Sequence, residues 1–328
     1  MNKYRIFIFI VIFIFMLSGC VPAQKQAVQE KPNLKIGIML SDAGLGDQSF
    51  SDSAFIGLEK ARDELGVTFD YREVKDTKNY ENGLKELVKQ KNDLVVGLGF
   101  AMKEAIEKVA KDYPDQTFLL VDEVSDLPNV YNVTFKEHEG SYLLGVIAGL
   151  KTKSNIVGFI GGVDVPLINK FRAGFEQGVK DVNPSAQILV EFAGDFGDSK
   201  KGNVIALKMI QSGADFIYPA AGFTGVGAIQ AAQSNKVFAF GVDSDQFFLA
   251  EDTIVSSMLK KVDVAMFEIA KQLVENKKIA KKHQLLGVAE NGVDVAPIRV
   301  LQLNKQEKDQ LDKMKSEITN GSRSVNEK

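Results

Sequence analysis

Ser41 to Phe50 (Ser-Asp-Ala-Gly-Leu-Gly-Asp-Gln-Ser-Phe) places two carboxylates, two hydroxyls, an amide and an aromatic ring in one short turn. The turn joins an apolar run, Leu34 to Leu40, to an amphipathic run, Phe50 to Leu65, and so reads as strand, loop, helix. In open α/β sheets ligands meet the protein at the carboxyl ends of strands, which puts Asp42 and Phe50 where a bound molecule would sit. Ionised carboxylates accept hydrogen bonds from hydroxyl or ring N–H groups, and a phenyl face stacks on a flat heterocycle. The chemistry available is therefore recognition of a neutral polar molecule with an aromatic face. Phe100, Phe171, Phe196 and Phe223 are further candidate rings, although any one of 22 phenylalanines is a core residue first.

Reactive chemistry has little to work with. His138 and His283 are the two histidines, Cys20 is the single cysteine and tryptophan is absent, so neither a metal set nor a Cys–His nucleophile pair can be assembled. Gly44-Leu45-Gly46 lacks the third glycine of a dinucleotide loop, with Ser49 in its place, and Asp42 and Asp47 beside the turn would repel a pyrophosphate. Gly161-Gly162 lacks the nucleophile-elbow pattern. No catalytic residue, metal or cofactor is expected. The formal charge of −3 gives no support to nucleic acid as a partner.

The turn has a counterpart. Val163 to Phe171 also follows an apolar strand, Ile156 to Ile160, and opens a helix. Asp42 pairs with Asp164, Phe50 with Phe171, Gly57 with Gly178, Asp93 with Asp215 and Asp122 with Asp243, always 121 or 122 residues apart. A constant offset over some eighty residues marks an internal repeat, and two copies mean two similar lobes. In each, an Asp opens a buried strand, a Gly-Phe pair follows (Gly99-Phe100, Gly222-Phe223), and a later strand ends in Asp122 or Asp243. If both sheets aim their carboxyl ends at one cleft, Asp42, Asp122, Asp164 and Asp243 can line it.

The elements needed to hold these residues alternate along the chain as strand and helix, which implies parallel sheets with helical crossovers. The fold class expected is α/β, with two Rossmann-like lobes joined by a hinge. Residues 34–137 with 258–280 form the expected first lobe, 138–257 with 281–303 the second, and 304–328 a charged C-terminal segment. Repeated passages between lobes make a hinge, since a few residues there absorb the rotation. At the other end, Asn2 to Arg5 carries two positive charges, Ile6 to Leu17 is unbroken apolar sequence, and Leu-Ser-Gly-Cys ends at Cys20. Residues 1–19 read as a secretory signal, too short for a transmembrane span of about 20 residues. Residues 20–33 read as a polar tether.

Leu17 to Cys20 resembles the bacterial lipoprotein signal, which implies acylation of Cys20 and an extracytoplasmic, membrane-anchored protein. Nearly the whole mature chain resembles the basic membrane protein family of substrate-binding lipoproteins, which includes purine nucleoside receptors of ABC transporters. The resemblance rests on Asp42-Ala43-Gly44 with Asp47 to Phe50, Glu139 to Gly145, Gly194 to Asp198 with Lys201-Gly202, Gly241 to Gln246, and Ser256 to Asp263. It implies a type I periplasmic-binding-protein architecture, a nucleoside ligand, an ABC permease as partner and a monomer. It further implies that Phe50 and Phe196 sandwich the base, while Asp42, Asp122, Asp243 and Lys260 bind its edge and the ribose. Ser51, where the family often has Asn, joins the expected set. A receptor for a sugar or small polyol, or a surface lipoprotein for a protein partner, are the alternatives.

Overall fold

Short apolar runs bounded by turns fold as strands covered on both faces, as parallel sheets require. The computed structural model describes residues 34–328; the signal, the tether and Cys20 lie outside the described residues. The first half runs β1 (Lys35–Met39), α1 (Phe50–Leu65), β2 (Thr68–Arg72), α2 (Val74–Thr77), α3 (Tyr80–Lys89), β3 (Leu94–Leu98), α4 (Lys103–Asp112), β4 (Thr117–Val121) and β5 (Val130–Phe135). The second runs α5 (Glu137–Lys151), β6 (Ile156–Gly161), α6 (Pro166–Val182), β7 (Gln187–Phe192), α7 (Ser199–Gln211), β8 (Phe216–Ala220), α8 (Phe223–Ser234), β9 (Phe238–Asp243) and β10 (Ile254–Lys260). α9 (Val262–Asn276), β11 (His283–Leu286), β12 (Val293–Val295) and α10 (Lys305–Thr319) complete the chain.

The strands form two six-stranded sheets, ordered β11-β5-β4-β3-β1-β2 and β12-β10-β9-β8-β6-β7. Replacing each strand of the first by its repeat counterpart gives the second. β12 alone runs antiparallel to its neighbour. The expected α/β fold with two Rossmann-like lobes is the observed one.

The expected lobe boundaries need correction. Residues 258–260, assigned to the first lobe, finish β10, which pairs with β9 and β12 in the second sheet. The chain leaves that sheet after Lys260, when α9 packs against α1. Residues 283–286, assigned to the second lobe, form β11 and pair with β5 in the first sheet. β5 would otherwise be an open edge with unpaired N–H and C=O groups.

The repeated glycines mark where helices touch. A Cβ on Gly57 of α1 would stand 2.3 Å from the Asp263 carbonyl oxygen of α9, and one on Gly178 of α6 would stand 2.0 Å from the Tyr142 oxygen of α5. In both lobes a crossover helix thus lies backbone to backbone against the helix that follows a passage between lobes. The charged segment after residue 304 is a capped helix: Asn304 and Glu307 form a reciprocal capping box, and Leu311, Met314 and Ile318 are buried.

Candidate functional site

β1, β4, β9 and β10 all deliver side chains from their carboxyl ends to one cavity, with about 770 Å³ of atom-free space including its mouth. Asp42, Phe50, Asp122, Phe196, Asp243 and Lys260 line it, together with Asp47, Tyr80, Phe100, Leu167, Ile168 and Phe171. Asp122 (φ 70°) and Asp243 (φ 64°) are both in the left-handed region just where their strands end. Aspartate tolerates that conformation better than most residues. The matching turns of the two copies therefore put matching carboxylates on opposite sides of the cavity.

Lys260 is the central cation. Its Nζ lies 2.5 Å from Asp122 Oδ2 and 3.1 Å from Glu137 Oε1, and its side chain is 2 % exposed. Burial works against its charge, but Asp122, Glu137 and Asp243 outweigh that and push its pKa above the usual ammonium range. Burial likewise raises all three carboxyls, Lys260 pulling each back: Asp243 stands at about 6, Glu137 at about 7, and Asp122 is raised as well. The Lys260 ammonium also sits 5.0 Å from the centre of the Phe50 ring and 5.7 Å from that of Phe171, within cation–π range.

Asp47 governs the start of α1. Its carboxylate accepts from the backbone N–H groups of Ser49 (2.9 Å), Ser51 (2.8 Å) and Asp52 (3.2 Å). Burial raises its pKa, those three bonds opposing the rise. At the mouth, Asp42 is exposed, and Tyr80, the first residue of α3, lines the cavity with it. The Tyr80 hydroxyl is pushed upward by burial and by that carboxylate.

Phe196 has a built seat. A Cβ on Gly162 would stand 2.2 Å from its ring, so glycine lets the ring lie on the end of β6, and Gly161 makes the same room for Phe192. Phe100, across the cleft, meets Phe196 edge to face at 6.4 Å between ring centres. Hydrogen bonds also join the lobes: the Gln48 carbonyl accepts from Gln246 Nε2 at 2.9 Å and Ser244 Oγ at 3.3 Å, and Ser49 Oγ donates to Asp243.

The sequence-based set changes in two places. Ser51 does not line the cavity: it is fully buried behind the loop, and its hydroxyl bonds Ser41 Oγ at 2.8 Å. Its position one residue into α1 turns it away from Phe50. Asp164 also stays outside, exposed, accepting from Asn169 Nδ2 at 2.8 Å in the turn before α6. Asp47, Tyr80 and Glu137 join the site or support it without having been singled out for it. Asp47 carried a signal, an acidic residue just ahead of a helix, whereas Glu137 was simply the last residue of the first stretch of the expected first lobe. Among the described residues no cluster could hold a metal ion, and no helix is long and apolar enough to cross a membrane.

Two open, mostly parallel sheets of equivalent order, meeting over a preformed cleft of carboxylates, one lysine and aromatic rings, define a solute-binding protein of type I architecture. The chain belongs to the Bmp family of PnrA-like ABC transporter substrate-binding proteins, whose model matches residues 35–328. It is 40 % identical over 257 residues, 72 % of each chain, to the CD4+ T-cell-stimulating antigen of Listeria monocytogenes. It is 30 % identical to the ABC transporter nucleoside-binding protein BmpA of Lactococcus lactis, over 93 % of both chains. Among solved structures, an ABC transporter solute-binding protein from Aeropyrum pernix superposes with a TM-score of 0.81 at 26 % identity, covering 88 % of this chain and 92 % of that one.

Proposed function

We propose that this protein captures a nucleoside, a purine nucleoside first, and delivers it to the permease of an ABC importer, acting by binding and lobe closure alone. One observation carries the proposal: Phe50 and Phe196, from opposite lobes, share a cavity with Asp42, Asp122, Asp243 and Lys260. Rings from two sides suit a flat base, and carboxylates with an ammonium suit ribose hydroxyls and base N–H groups. The printed name of the Lactococcus lactis relative supports the same ligand class. The lipoprotein-like tetrad ending at Cys20 supports anchoring at the outer face of the cell membrane.

Mass spectrometry of the small molecule released when the purified protein is denatured tests the ligand. A nucleoside is expected; a sugar or polyol would replace this reading. Cys20→Ala should release the protein from membranes, and a variant that stays in the membrane fraction would contradict acylation as the anchor.

A further inference from the structure

Glu137 is the least accessible carboxyl group beside the cavity. It is 0 % exposed, it does not line the cavity, and neither of its oxygens accepts a directed hydrogen bond among the described residues. Its one close partner is Lys260 Nζ at 3.1 Å, an ion pair. A buried carboxylate with so little hydrogen bonding is costly, so the attraction to Lys260 has to hold it.

The seat of Glu137 is rigid. It opens α5, whose next twelve residues are buried, and α6 presses against the same turn: a Cβ on Gly174 would stand 2.1 Å from the His138 carbonyl oxygen. Lys260, by contrast, is a flexible four-carbon stem at the last residue of β10, the point where the chain leaves for the other lobe. An ammonium has three N–H groups. Asp122 takes one from the first lobe, and Glu137 stands at a second side from the helix that starts the second lobe. Held from two directions, by a hydrogen bond to Asp122 and an ion pair with Glu137, the ammonium keeps N–H capacity for the cavity that Lys260 lines.

We infer that Glu137 is a positioning residue of the binding site, fixing the Lys260 ammonium from behind so that an N–H not taken by Asp122 faces the ligand. The inference rests on the nucleoside reading for its ligand but not for its geometry. The groups facing the pair are Asp122 from β4, Asp243 from β9, Lys170 from α6 and Tyr218 from β8, while the neighbouring His138 faces Glu327, Lys170 and Lys136. Only the ionised carboxylate can hold the ammonium, and the Glu137 carboxyl titrates near 7. Affinity should therefore depend on pH just above the range in which Asp243, near 6, titrates.

The test combines calorimetric titration with guanosine at pH 8 and pH 6.5 and ligand-free thermal unfolding at the same two values, for the full chain and for Glu137→Gln. A carboxyl with a midpoint near 7 is about nine-tenths ionised at pH 8 and about one quarter at pH 6.5, so the unsubstituted protein should lose roughly fourfold in affinity. Glu137→Gln should bind about tenfold more weakly at pH 8, equivalent to about 1.4 kcal/mol. Its affinity should be nearly flat over the interval. Without ligand the unsubstituted protein should become more stable from pH 8 to pH 6.5, because a raised carboxyl takes up its proton more readily folded than unfolded, and Glu137→Gln should lose that gain. A variant that binds as tightly as the original at pH 8, or keeps its pH slope, would overturn the assignment. If the unsubstituted protein binds no nucleoside, the nucleoside reading fails by itself. Ligand-free unfolding then decides on Glu137, a slope surviving the substitution overturning the pairing and a lost slope supporting it.

Discussion

The first backbone N–H groups of α1 point at Asp47, whose carboxylate accepts from Ser49, Ser51 and Asp52. A helix N-terminus that would serve an incoming phosphate is thus already closed by an internal anion. Among the described residues Lys260 is the one lysine or arginine lining the cavity, and it is already engaged by Asp122 and Glu137. What remains is stacking and hydrogen bonding to a neutral solute. Base-on-aromatic contact is worth about 1–3 kcal/mol per base, so Phe50→Ala or Phe196→Ala should weaken guanosine binding roughly tenfold to a hundredfold by calorimetry. Unchanged affinity in both variants would remove the stacking role. The sequence made six of the cavity's side chains legible, Asp42, Phe50, Asp122, Phe196, Asp243 and Lys260, because Asp and Phe recur at a fixed offset and the stretches around Phe196 and Lys260 resemble family patterns. Tyr80 was hidden as the first residue of an ordinary amphipathic helix, and Ser51 lies behind the cavity wall because one step along a helix rotates a side chain by about 100°.

α1 and α6 are the same helix in two copies, and their glycines show why the repeat was readable from so few marks. Gly57 and Gly178 are held by contact with a neighbouring backbone, which no larger residue permits without displacement. Gly178→Ala should therefore push α6 off α5 and destabilise the protein by about 1–3 kcal/mol, as overpacking does, seen as a lower urea midpoint. An unmoved midpoint would mean that the two helices can separate freely. Strand and helix positions followed from apolar runs and breakers, and α1 falls on the expected residues, Phe50 to Leu65. The lobe of a late strand did not follow. β11 and β12 are short, and which sheet each joins depends on an open edge supplied by β5 or β10 from far back in the chain. Local pattern carries no record of such an edge.

Three passages join the lobes, at the starts of α5 and α9 and between β11 and β12. They lie together: Lys136 N–H donates to the Leu286 carbonyl at 3.0 Å, and Lys261 N–H to that of Gly292 at 2.9 Å. Adjacent passages allow one lobe to rotate on the other with few dihedral changes. Across the cleft the contacts are few and polar or edge-on, as between Gln48 and Gln246 or Phe100 and Phe196, so they can form and break as a ligand enters. Nucleoside at saturation should therefore reduce the radius of gyration measured by small-angle scattering. A profile identical with and without ligand would contradict closure.

Under the proposed function the cavity takes a nucleoside and refuses its phosphorylated form. A 5′-phosphate adds up to two negative charges to a space lined by four aspartates, where among the described residues Lys260, already paired with Asp122 and Glu137, is the one lysine or arginine. One like-charge pair about 6 Å apart at an effective dielectric near 20 costs roughly 2–3 kcal/mol, about a hundredfold in affinity. Titration calorimetry of guanosine against guanosine monophosphate, at one pH and one ionic strength, measures that difference directly. Guanosine should bind about a hundredfold more tightly; equal affinities would contradict the account, because the aspartates could not then surround the ligand.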